Sequence, residues 1–206
     1  FRNHVRGVLV IGQGSLPTKI HFVDYTLNAR EEALYQRVAD GIMLDGCGDD
    51  ASWISRVLSR DSVVQSSVRS VKELDRHSSR FIYLQSVVDG SLNDDGTFGF
   101  GPSSKCDALL DVVRGVASRG ESILVYCEYY TTLDNVKQNL LRSGIVDHRG
   151  TPIVVVEQSS RNNFKSGLVT KEKCDRATYV VLCSPGASES ENYFYINNVL
   201  LYDMPL

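Results

Sequence analysis

The sequence has no cysteine pair in C-x-x-C spacing, and its five cysteines, Cys47, Cys106, Cys127, Cys174 and Cys183, are odd in number. Neither a zinc site nor a disulfide framework is indicated. Cys127 and Cys183 lie in apolar stretches and are expected to be buried thiols, which fits a reducing compartment. No apolar run approaches the roughly 20 residues that a membrane span needs, and no signal peptide is visible. The expected location is intracellular, nucleus or cytoplasm, with no membrane partner. The chain lacks a G-x-x-x-x-G-K-[ST] phosphate loop and a G-x-S-x-G nucleophile motif. His4, His21, His77 and His148 stand in no recognisable catalytic context. Excess charge is also scarce: 22 basic and 25 acidic residues leave a net −3, which argues against a generic nucleic-acid coat but permits a local basic face.

What is present is a core. Hydrophobic residues make up 42% of the 206 and charged residues 23%, enough for one packed α/β domain. The chain opens on Phe1 and closes on Pro205-Leu206, so both ends are expected to be cuts within a longer protein. Val8 to Ile11 form a first apolar run, followed by a glycine turn that makes a poor dinucleotide fingerprint because Pro17 follows it. Ile20 to Leu27 suit a strand. Asn28 and Glu31 then have the spacing of a capping box, and Leu34, Val38 and Ile42 place an apolar stripe on the helix behind it. The acidic stretch around Asp45, Asp49 and Asp50 lacks calcium-loop spacing and reads as a solvated turn. Residues 51 to 76 read as helical, with Arg56, Arg60, Arg69, Lys72 and Arg76 on a solvated side that is also a candidate for phosphate contact. The glycine-rich residues 89 to 102 read as a mobile loop or linker.

The second half is more regular. Ser104 is placed as an N-cap with Asp107 in the first turn, and Leu109, Val112, Val113 and Val116 form that helix's apolar stripe. Ile123 to Val125 read as a buried strand. Thr132 is placed as the next N-cap, Leu133, Val136 and Leu140 recur at helical spacing, and Gly144 marks the stop. Further strands are expected over 153–156, 179–183 and 199–202. Strands alternating with helices argue for a parallel sheet covered on both faces. The loop after the 123–125 strand then lies at the carboxyl edge, where open α/β sheets bind ligands.

Four separated stretches resemble, in order, the second RecA-like lobe of Swi/Snf-type ATPases of helicase superfamily two. Leu16-Pro17-Thr18-Lys19, Tyr25-Thr26-Leu27 and Glu32-Ala33-Leu34-Tyr35 resemble the start of that lobe. Ser103-Ser104-Lys105 resembles the serine-x-lysine start of the helix before motif IV. Val125-Tyr126-Cys127-Glu128-Tyr129 with Thr132-Leu133-Asp134 resembles motif IV, commonly V-F-S-Q-Y followed by T-L-D. Leu182-Cys183-Ser184 through Val199-Leu200-Leu201-Tyr202-Asp203-Met204-Pro205 resembles motif V and the strand ending in Tyr-Asp-x-Pro.

The resemblance implies a three-layer α/β/α RecA-like fold with a mainly parallel sheet over 1–206, residues 1–102 holding the opening strand, helices and loop and 103–206 the motif IV to motif V core. It implies nucleic-acid contacts by Lys105, Tyr129, Tyr130, Thr131, Ser184 and Asn192, and cofactor-facing positions at Gly186, Glu189 and Asp203. ATP and Mg2+ would serve the complete protein, with none bound by this lobe alone. The implied partners are a first RecA-like lobe, in the same or a separate chain, DNA, and other proteins. Departures accompany the matches. The motif V pattern A-G-G-x-G-L-N is met by Gly186-Ala187-Ser188-Glu189-Ser190-Glu191-Asn192, so three glycines that would let backbone approach phosphate are replaced. The loop after Val156, Glu157 to Arg161, matches poorly. Motifs I, II and VI are absent, so the implied activity for these residues alone is no ATP hydrolysis. The alternative implied function is a degenerate, catalytically inactive lobe that binds DNA or protein as a scaffold.

Overall fold

A computed structural model describes residues 5–11, 19–44, 85–94, 99–158, 169–184, 193 and 195–203, with side chains described for all of these except 5–11, 19–20 and 39–44. Contacts group the chain into two units, one of residues 1–25 with 107–206 and one of residues 26–106. The strands Val5–Ile11 and Lys19–Tyr25, which lie within the expected opening half of the chain, thus group with the later sheet.

The first unit carries a six-stranded sheet in the order β2-β1-β6-β3-β5-β4. Its strands are β1 (Val5–Ile11), β2 (Lys19–Tyr25), β3 (Ile123–Tyr126), β4 (Val154–Gln158), β5 (Tyr179–Cys183) and β6 (Asn198–Leu201). The four strands β6, β3, β5 and β4 are all parallel. β1 lies antiparallel to both β2 and β6, with Val8 opposite Phe22 on one side and Leu201 on the other. The apolar run at 123–125 therefore forms an inner strand, which explains why it carries no polar alternation: both of its faces are covered.

The helices are α1 (Ala29–Leu44), α2 (Ser104–Ser118), α3 (Tyr130–Arg142) and α4 (Lys171–Arg176). Because side chains alternate along a strand, each strand feeds two clusters. Ile123, Val125, Val180, Leu182 and Leu200 point to one side and meet Leu109, Val113 and Val116 of α2 and Leu133, Val136 and Leu140 of α3. Val181, Cys183 and the half-buried Leu124 point to the other and meet Val169, Cys174, Tyr193 and Ile196. Each fully buried Val or Leu contributes about 1.5–3 kcal/mol, so the stripes read from the sequence account for most of what holds α2 and α3 to the strands. Cys127 joins the first cluster and Cys183 the second; both are buried, and they face opposite sides of the sheet.

Helix limits depart from expectation at two starts. The side chain of Ser103, not Ser104, caps α2, its Oγ accepting from the Cys106 amide at 3.1 Å. The first turn of α3 begins at Tyr130, with Tyr129 as the capping residue in extended conformation, and Thr132 is buried inside the helix. The Leu133 amide bonds to the Tyr129 carbonyl at 2.9 Å, so the helix is already under way where a threonine cap was expected. The stop at Gly144 is as expected: α3 ends at Arg142 and Gly144 takes φ +62°.

In the second unit, the capping box forms reciprocally. The Asn28 side chain accepts from the Glu31 amide at 3.0 Å, and the Glu31 carboxylate accepts from the Asn28 amide at 2.9 Å. That carboxylate also takes the Ser104 amide and hydroxyl, at 2.7 and 2.6 Å. Next to it, Lys105 donates to Asp89 at 2.7 Å, with side chains only 7% and 0% exposed. The stretch read as a mobile loop or linker is packed where it is described: Asp89, Ser91 and Leu92 are buried, and the Gly99 and Gly101 amides bond back to the Ser91 and Gly90 carbonyls. The acidic turn at 45–50 and the basic helix expected over 51–76 lie outside the described residues.

Candidate functional site

Three segments distant in sequence end together because β5, β3 and β6 are adjacent and parallel. Tyr126 pairs with Cys183 on one side and Leu201 on the other. The ladder runs one step past β3 in both directions: the Cys127 amide donates to the Cys183 carbonyl, and the Tyr202 amide donates to the Tyr126 carbonyl, each at 2.9 Å. The segments that leave this carboxyl edge are Cys127 to Tyr129, Ser184, and Tyr202 to Asp203. Gln158, the last residue of β4, stands opposite Cys183 and completes the row. Glu157 and Gln158 are thus strand, not the loop expected after Val156, because they continue the β5 ladder and Lys137 of α3 holds the Glu157 carboxylate at 2.8 Å.

The side chains at this edge differ in reach. Tyr130 is 37% exposed, whereas Tyr129 and Thr131 are half-buried. Ser184 is fully buried and Asp203 nearly so, which makes both part of the floor of the edge rather than its outer surface. Lys105 stands in the first turn of α2, its ammonium bound to Asp89. Gly186, Glu189 and Asn192 lie outside the described residues. The structure thus brings Tyr129, Tyr130, Thr131, Ser184 and Asp203 to one edge.

The chain matches no family model, no curated protein and no solved structure. The Tyr126 hydroxyl donates to Glu128 at 2.7 Å. Burial pushes the Tyr126 phenol well above its ordinary value, and the Glu128 hydrogen bond and the Glu128 and Asp203 charges push it further in the same direction. A phenol near two carboxylates stays protonated and acts as a donor. The Tyr126–Glu128 pair was not singled out from the sequence. The signal was there: both residues depart from the V-F-S-Q-Y pattern, and two positions apart in an extended chain they share one side.

The described part of this edge is acidic. It offers the carboxylates of Glu128 and Asp203, and no lysine, arginine or glycine cradle stands among its described residues. No group of three or more His, Cys, Asp or Glu able to hold a metal ion occurs among the described residues. No helix among them is long and apolar enough to cross a membrane.

Proposed function

We propose that this chain is the second RecA-like lobe of a Swi/Snf-type ATPase of helicase superfamily two, with a three-layer α/β/α build. Its work is to contact nucleic acid at the carboxyl edge of its parallel sheet and to close on ATP and Mg2+ held by a first lobe. The observation that supports this is the meeting of the Cys127–Tyr129, Ser184 and Tyr202–Asp203 segments on three adjacent parallel strands. These are the stretches that resemble motif IV, the start of motif V and the Tyr-Asp strand end. They lie far apart in sequence, and their convergence on one ligand-binding edge is what a shared site requires. Tyr130, exposed at the start of α3 beside half-buried Tyr129, offers an aromatic platform for bases or sugars. ATP hydrolysis in this class is positioning and electrostatics. One lobe cannot assemble it, and these 206 residues alone are expected to turn over no ATP.

A second reading, a degenerate lobe that binds DNA or protein without driving hydrolysis, is favoured by two features. Glu128 and Asp203 place negative charge where a phosphate backbone would run, and the glycines of motif V are replaced. The two readings separate on whether the complete protein carries a phosphate-loop lysine and a motif VI arginine.

The test of the first reading is fluorescence anisotropy with labelled single- and double-stranded DNA. Stacking is worth about 1–3 kcal/mol per base, so Tyr129→Ala combined with Tyr130→Ala is expected to weaken binding about tenfold or more, with the fold intact by circular dichroism. Unchanged affinity in the folded double variant would remove the tyrosines from the interface.

A further inference from the structure

No further inference is drawn: the strongest candidate, the cluster of Glu128 and Asp203 carboxylates around the Tyr126 phenol at the carboxyl edge of the sheet, is an acidic group for which nothing among the described residues points to the cation or basic partner that would fill it.

Discussion

The Tyr126 hydroxyl donates to the Glu128 carboxylate at 2.7 Å, tying the last residue of β3 to the loop that leaves the sheet. The pair fixes the first turn of the edge before α3 begins. It also ties folding to alkaline pH. The folded Tyr126 phenol titrates above its ordinary value of 10.0, first through burial and then through Glu128 and Asp203. The folded state therefore holds this proton more tightly than the unfolded chain does. That stabilisation is complete below about pH 10 and is lost as pH rises past the unfolded value of about 10. Urea unfolding between neutral pH and pH 11 should show stability falling above pH 10, and Tyr126→Phe should flatten that fall. At neutral pH the same substitution is expected to cost about 1 kcal/mol, the value of one half-exposed hydrogen bond. An identical alkaline slope in both proteins would show that Tyr126 does not control it.

Gly120 and Gly144 offer a matched comparison. Both have positive φ, +71° and +62°. A Cβ on Gly120 would run into the His148 ring, whereas one on Gly144 would meet nothing within 4 Å. Left-handed backbone strain alone costs about 1–2 kcal/mol for an alanine. Gly144→Ala should lose about that much, and Gly120→Ala should lose more, because it must also displace the ring. His148→Ala should bring the cost of Gly120→Ala down to that of Gly144→Ala. Equal costs at the two glycines in the unaltered background would contradict the contact with His148.

Lys105 and Asp89 are the most deeply buried of the described ion pairs in the second unit, at 2.7 Å with almost no exposure. Removing one partner leaves the other charge buried. Lys105→Met is expected to destabilise by about 3–5 kcal/mol, and Lys105→Met with Asp89→Leu by clearly less. Denaturant midpoints of the singles and the double decide this. A Lys105→Met protein as stable as the parent, with weakened DNA affinity, would return Lys105 to the role of a phosphate contact.

The capping box can be graded. Asn28→Ala should cost about 1 kcal/mol, as N-cap losses usually do. Glu31→Ala should cost about 2–3 kcal/mol, because its carboxylate accepts from the Asn28 amide and from both the amide and the hydroxyl of Ser104. Glu31→Gln should fall between, since an amide offers one acceptor oxygen in place of two. A Glu31→Ala no worse than Asn28→Ala would mean that the Ser104 bonds add nothing net.

Much of the architecture was legible because its signals are local. The apolar runs at 123–125 and 179–183, the stripe of Leu133, Val136 and Leu140, the Asn28 and Glu31 box and the stop at Gly144 each follow from residues near one another in sequence. What was not legible depends on partners. No spacing in the chain says that β3 lies between β5 and β6, or that β1 runs antiparallel beside β6. Thr132 and Ser104 have the chemistry of caps, yet the chain turns earlier in each case, and tertiary burial of Thr132 decides the matter. Ser103-Ser104-Lys105 looks like a polar surface stretch until Glu31 and Asp89, from distant segments, are seen to receive its side chains. Glu128 stood in plain view, but no local signal says that Asp203 arrives beside the same phenol from the segment after β6.

The proposed function rests on the carboxyl edge of the parallel sheet being the face that meets nucleic acid, and backbone hydrogen exchange with and without saturating DNA addresses that face directly. Amides of Cys127 to Thr132 and of Tyr202 and Asp203 are expected to exchange more slowly when DNA is bound, while those of the opposite, amino-terminal edge around Glu121, Ser122 and Thr178 are unchanged. Protection confined to other regions, or none at the carboxyl edge under conditions where binding is saturated, would contradict the proposal and leave the protein-binding scaffold as the better account.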